Sequence, residues 1–151
     1  MHKVKLQIQL SGLQLDTKPM VSFHLNNECM GTAELGPQSR LFEFQWTLPT
    51  GEHQFGLNFQ NKQYQNYPAG QDMAVFVESL TFQHLPDDFR YFGHYVPDYP
   101  EPWATEQRAT GVELKSAIYG DYLGWNGTWY INFQTPIYRW IHQTQNLGWL
   151  I

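Results

Sequence analysis

The sequence predicts an all-β fold: a β-sandwich or jelly roll of antiparallel strands carrying one long loop rich in proline and aromatic residues. Three observations predict it. Apolar residues recur with period two through most of the first half of the chain, the pattern of half-buried strands. Turn signals such as Ser11-Gly12, Asn26-Asn27 and Gly36-Pro37 separate these runs, at the short regular spacing of sandwiches and barrels. No segment shows a convincing 3.6-residue period.

The elements follow in order. Lys3 to Leu10 alternates, with Val4, Leu6, Ile8 and Leu10 inward. Met20 to Asn26 repeats the pattern through Val21, Phe23 and Leu25, and Asn26-Asn27 reads as a tight turn. Glu28 to Glu34 returns as a short strand. Arg40 to Leu48 places Phe42, Phe44, Trp46 and Leu48 on one side. After the turn at Pro49-Thr50-Gly51, Phe55, Leu57 and Phe59 face one way and Gly56, Asn58 and Gln60 the other. A polar loop runs from Asn61 to Gln71. Met73 to Phe82 is apolar at most positions on both faces, as in a central strand. His84 to Thr110 contains four prolines and many aromatics. A loop this long is usually functional, so residues 84–110 are either an interaction arm or an ordered excursion covering a sheet edge. Gly111 to Tyr119 reads as a strand.

Asp121 to Phe133 reads as a hairpin about Asn126-Gly127, with a type I′ turn. That register places Tyr122, Trp129, Ile131 and Phe133 on a core face. Leu123, Trp125, Tyr130 and Asn132 then share the other face, an aromatic and amide surface suited to contact. Residues 134–151 end apolar, which is rare for a terminus free in water. They either close the sandwich as a last strand or dock into a partner chain.

Composition narrows the function. At 151 residues the chain reads as one domain, which buries roughly 70% of its unfolded surface and needs no disulfide or structural metal. Cys29 stands alone and reads as a small buried hydrophobe. A net charge of −5 argues against a nucleic-acid partner. No apolar run approaches the ~20 residues of a membrane span, and the N-terminus has no apolar core, so no secretory leader is expected. Aromatics make up 17% of the chain and charged residues only 15%. Many rings, many amides and few charges describe a surface for neutral polar ligands or for other protein. Trp125 and Tyr130 with Asn132, or Tyr64 and Tyr67 in the polar loop, are the candidates for stacking on sugar rings. Trp103, Trp140, Trp149, Leu150 and Ile151 are the candidates for docking a partner.

Catalytic chemistry finds little footing. The histidines (His2, His24, His53, His84, His94, His142) show no pairing at ligand spacing. Asp98 and Glu101 sit among prolines, where paired acid–base geometry cannot be argued. No nucleophile elbow surrounds a serine. No enzyme is expected. Asn126-Gly127-Thr128 is formally a glycosylation sequon and is read as the hairpin turn.

The stretch from Leu48 to Phe82 resembles the calcium-dependent xylan-binding carbohydrate-binding modules. Gly51-Glu52-His53, Phe59-Gln60-Asn61, Asp72 and Phe76-Val77-Glu78-Ser79-Leu80 match that family's outline over about a quarter of the chain. The resemblance implies a β-sandwich whose loop holds a calcium in contact with sugar hydroxyls. Its ligands would be an Asp directly after Asn61 and the Asp at position 72. Lys62 stands where the first belongs, leaving Asn61 and Asp72. Calcium takes several oxygen ligands, carboxylates among them, so one carboxylate beside an ammonium is a poor site and no cofactor is expected. "YVPDYPEPWA", "GWNGTW" and "PIYRWIH…NLGWL" are similar to sequences in virion proteins of large tailed bacteriophages.

Two readings result. In the first, the chain is a non-catalytic phage virion component for structure, decoration or adhesion. It assembles with its own copies or with other virion proteins through the arm and C-terminus. In the second, it is a lectin-like module that binds a neutral polysaccharide by aromatic stacking.

Overall fold

The computed structural model describes residues 1–15, 17–63, 72–117 and 121–145. Tyr64, Tyr67, Trp149, Leu150 and Ile151 lie outside the described residues. Among those described, nine strands, two α-helices and a 3-10 turn at Arg90–Phe92 form: β1 (His2–Leu13), β2 (Met20–Leu25), β3 (Glu28–Glu34), β4 (Arg40–Leu48), β5 (Gly51–Phe59), β6 (Ala74–Phe82), β7 (His94–Pro97), α1 (Trp103–Ala109), β8 (Tyr122–Leu123), β9 (Gly127–Thr135) and α2 (Ile137–Gln145). They build two antiparallel sheets, one in the order β4-β1-β6-β8 and one in the order β3-β2-β5-β9-β7. The all-β sandwich expected from the alternating pattern is what the chain forms.

The core lies between the sheets and is made by the alternating positions. Val4, Leu6, Ile8 and Leu10 of β1 face Phe55, Leu57 and Phe59 of β5 and Trp129, Ile131 and Phe133 of β9, all buried. Phe23, Phe42, Phe44, Trp46 and Phe55 form one run of ring contacts, with centroids 5.0 to 6.4 Å apart, within the range where aromatic pairs attract. β2 and β3 are joined at Asn26 and Asn27, with φ of +50° and +69°, the left-handed pair that a two-residue turn matching strand twist requires.

The two-faced apolarity of β6 has a specific cause. Val75 and Val77 point inward, then Leu80 and Phe82 do. The phase changes because Ser79 pairs with Gln9 and Val77 with Leu10, leaving Glu78 as an extra residue. This is a β-bulge. The Glu78 carbonyl it exposes accepts a 2.6 Å hydrogen bond from Arg90 Nη1. Arg90 also pairs with Asp88 at 3.0 Å and with Asp121 at 3.3 Å.

The second half departs from expectation. The hairpin about Asn126-Gly127 does not form. β8 pairs with β6 in one sheet, and β9 lies between β5 and β7 in the other, so residues 124–126 cross between the sheets. Leu123 is therefore buried and Tyr122 exposed, the reverse of the hairpin register. Gly127 instead receives the backbone of β7: a Cβ there would meet the Val96 carbonyl oxygen at 2.3 Å. Residues 111–117 contain no strand. Cys29 is exposed, because β3 pairs only with β2 at the rim.

Two helices appear where no helical period was read. α2 follows Pro136 and buries Ile137 and Ile141. Trp140 lies on the same face, at the i and i+3 spacing that suits a helix. Its indole packs 5.2 Å from Phe89, 5.5 Å from Phe82 and 6.4 Å from Phe133. The segment therefore closes the base of the core as a helix, not as a last strand. Within residues 84–110, β7 extends the second sheet, and α1 brings Trp103 to 4.8 Å from Trp125.

Candidate functional site

Strand alternation sends the polar residues of the five-stranded sheet to its outer face, and the register aligns them in rungs. One rung is His24 on β2, Gly56 on β5, Tyr130 on β9 and His94 on β7. Next to it run Ser22, Asn58 and Thr128, and on the other side Gln54 and Asn132. Glu52 and Gln134 continue the face toward α2.

These side chains hold one another in place. Asn58 Nδ2 donates to Thr128 Oγ1 at 2.9 Å and Gln54 Nε2 to Asn132 Oδ1 at 3.1 Å. Ser22 Oγ and His24 Nε2 are 2.8 Å apart. Tyr130 and His94 stack with centroids 5.3 Å apart and planes 26° from parallel. At the open end of the face, the Asn26 side chain accepts from the Gln54 amide at 2.8 Å and meets His53 Nδ1 at 3.0 Å. His53 is itself buried, with Nε2 2.9 Å from the Pro49 carbonyl oxygen. The turn at Asn26 is thus pinned to β5.

Gly56 decides the shape of this surface. It carries no side chain between His24 and Tyr130, whose strands flank β5 at the ~4.8 Å spacing of a sheet. Gly56 is itself buried, yet a Cβ there would make only ordinary contacts, 3.8 Å from Thr128 Cγ2 and 4.0 Å from His24 Cβ. A depression of about 190 Å³ lies here, lined by His24, Asn27, Gln54, Gly56, Asn58 and Thr128. A larger cleft of about 490 Å³, with Glu52, His53, Gln54, Asn132, Gln134 and Trp140 on its walls, continues it along β5 and β9. From Glu52 to Asn58 the face extends about 20 Å at strand rise. Its chemistry is amide, imidazole, hydroxyl and phenol, with Glu52 the one carboxylate among the described residues on its walls.

The residues predicted from sequence fall into separate places. Tyr130 and Asn132 are both on this face. Trp125 is not beside them across a hairpin. Its backbone N–H donates to the Tyr95 hydroxyl at 2.9 Å, and its ring joins Trp103 at 4.8 Å and Tyr99 at 5.5 Å. Trp103 thus packs within its own chain, as Trp140 does. His24, Gln54, Gly56, Asn58, Thr128 and His94 were not singled out as site residues. The signal for several of them was the polar half of the β5 alternation, with a glycine inside a strand, which often marks close approach by a ligand or another backbone.

Asn61 and Asp72 are occupied otherwise than as metal ligands. Asn61 Oδ1 accepts from the Met20 amide and its Nδ2 donates to the Lys18 carbonyl, both at 2.9 Å. Asp72 Oδ1 receives the Lys62 ammonium at 2.6 Å and the Met73 amide at 2.9 Å, and Asp72 Oδ2 accepts from the Tyr122 hydroxyl. Burial acts to raise the Asp72 pKa, but the hydrogen bonds from Lys62 and Tyr122 and the Lys62 charge outweigh it, leaving it below the usual 3.8. Burial, then the bond to Asp72, push Tyr122 up to about 12. Among the described residues no three His, Cys, Asp or Glu side chains group as metal ligands.

The two-sheet architecture has solved counterparts. It is similar to a solved structure described as vCBM60 in complex with galactobiose, with a TM-score of 0.54 and 15% identity, covering 86% of this chain and 97% of that one. It is also similar to the selenomethionine form of vCBM60, from a study of circular permutation linking two families of calcium-dependent carbohydrate-binding modules. There the TM-score is 0.55 and the identity 12%, covering 85% of this chain and 89% of that one. The likeness is one of fold, and it bears out the resemblance drawn from Leu48 to Phe82. No protein-family model matches the chain, and no curated protein matches it.

The calcium that such modules are named for does not suit the residues here. The Asp72 carboxylate already faces an ammonium and a phenol, and the Asn61 amide is spent on backbone. Calcium takes six to eight oxygens, and this group does not supply them.

Proposed function

We propose that the chain is a non-catalytic carbohydrate-binding module that takes a neutral polysaccharide along the outer face of its five-stranded sheet. One observation carries this: the rung His24–Gly56–Tyr130–His94, a bare backbone step between an imidazole and a stacked phenol–imidazole pair. A sugar ring has apolar C–H faces and a rim of hydroxyls. The Tyr130–His94 wall suits the first, and Gln54, Asn58, Asn132 and Thr128, with donors and acceptors both, suit the second. The scarcity of charge favours a neutral ligand. Glu52 as the single carboxylate among the described residues of the walls supports binding without hydrolysis, since glycoside hydrolysis ordinarily needs two. One structural neighbour was solved with galactobiose, a neutral sugar, which supports the same class.

The virion-assembly reading gains nothing from the comparisons, and Trp103 and Trp140, on which it partly rested, are packed within the chain.

The test is calorimetric titration of the purified chain with soluble neutral polysaccharides and their oligosaccharides, galactose- and xylose-based, in EDTA. Binding is expected, and Tyr130→Ala should weaken it on the order of tenfold, taking ring stacking on nucleic-acid bases as the scale. A native chain that binds none of the panel, or a Tyr130→Ala chain that binds as the native one does, removes the outer face as the site.

A further inference from the structure

Lys62 and Asp72, which stand on either side of residues 64–71, form an ion pair whose cation is part of the chain. Lys62 has a side chain only 6% exposed. Its ammonium lies 2.6 Å from Asp72 Oδ1 and 2.5 Å from the Gly124 carbonyl oxygen, and 5.9 Å from the centre of the Trp125 ring. A carboxylate, a carbonyl and an aromatic face are the partners an ammonium seeks when it leaves water. The lysine backbone is gripped as well. Its N–H donates to Asn126 Oδ1 at 2.8 Å, and Asn126 Nδ2 donates to its carbonyl at 2.9 Å.

These contacts join three parts of the molecule. Asp72 precedes β6 in the first sheet. Gly124 and Asn126 belong to the crossing between β8 and β9, which lie in different sheets. Lys62 follows β5 in the second. A divalent ion held by oxygens from the same three segments would cross-link them in the same way.

We infer that Lys62 is a built-in counter-ion that does the cross-linking work of a bound metal. The chain therefore keeps this end of its sandwich ordered without calcium, although its structural neighbour is classed with calcium-dependent modules. The inference concerns the architecture and stands whether or not the outer face binds sugar.

The test uses heat unfolding of the full chain. The native midpoint should be the same in EDTA and in millimolar calcium, and a midpoint raised by calcium overturns the inference. Lys62→Met and Asp72→Asn should each lower the midpoint, by on the order of 10 °C for the lysine change. The double variant should lose clearly less than the sum of the two, as groups in one bonded pair do. Strict additivity, or a Lys62→Met chain as stable as the native one, also overturns it. Lys62→Asp replaces the ammonium with a second carboxylate. It should gain what the native chain lacks, a calcium-raised midpoint and terbium luminescence sensitised by Trp125. A folded Lys62→Asp chain indifferent to both ions counts against the inference.

Discussion

Gly93 lies flat against the indole of Trp129, so close that a methyl group there would sit 2.2 Å from the ring. Trp129 is fully buried on β9, within the core, and cannot retreat. Gly93→Ala should therefore destabilise the fold by about 3 kcal/mol or more, at or beyond the upper end for overpacked cores. Urea unfolding measures the loss. A change below about 0.5 kcal/mol would mean that the β7 approach is looser than described.

Gly56 is the opposite case, a glycine whose added Cβ would make only ordinary contacts, none closer than 3.8 Å. Gly56→Thr places a β-branched residue in a strand, where such residues are favoured, so stability should stay within about 1 kcal/mol of native. Its side chain would stand in the gap between His24 and Tyr130. Polysaccharide binding should fall while the unfolding curve is preserved, and calorimetry beside urea titration separates the two. Undiminished binding would place the ligand elsewhere.

The pair at Asp72 and Tyr122 sets a stability profile with two flanks. Asp72 has its folded pKa lowered, so its contribution is present above the unfolded value of 3.8 and is lost as pH falls through the lower folded value. Tyr122 is raised from 10.0 to about 12, so its contribution is present below 10 and disappears between pH 10 and about 12. Tyr122→Phe should flatten the alkaline flank; Asp72→Asn should flatten the acid flank and only lessen the alkaline one, since burial, the larger cause of the Tyr122 shift, remains. Thermal midpoints across pH 2 to 12 read this directly. An alkaline flank unchanged in Tyr122→Phe would assign it to another group.

Trp140 packs on Phe82, Phe89 and Phe133 of its own chain. Trp140→Ala should cost about 3 kcal/mol, the low end for a tryptophan because the ring is only partly buried. It should leave the native association state unchanged by light scattering. Dissociation of an oligomer without loss of stability would return Trp140 to a docking role.

The first six strands were legible because each buries one face, and burying one face writes itself as period two. Even the β6 bulge left a trace, as apolar residues on both phases around Glu78. The second half was misread where local chemistry had two uses. Asn126-Gly127 has the composition of a hairpin turn, but the Asn126 side chain is engaged with the Lys62 backbone and Gly127 makes room for Val96. Nothing in the neighbouring residues reveals that β8 and β9 belong to different sheets. Helix α2 left a short trace, Ile137, Trp140 and Ile141 at helical spacing after a proline, but so apolar an end reads equally as a last strand or a docking segment. Of the trough, Tyr130 and Asn132 could be picked out by residue type. His24 and His94 could not, because only register brings them to the same rung.

The strand order has a consequence for how the protein is made. β1 pairs with β6 on one side, Leu6 opposite Phe82, and β5 pairs with β9, Gly51 opposite Thr135. A ribosome delivers β5, already able to pair with β2, long before β9 exists, so the nascent chain carries one unsatisfied strand edge with Phe55, Leu57 and Phe59 behind it. Folding of such long-range pairings is slow, and exposed edges attract other chains. Messages cut short before Thr135 should thus yield aggregates rather than smaller folded products, and pausing during translation would lengthen the vulnerable interval.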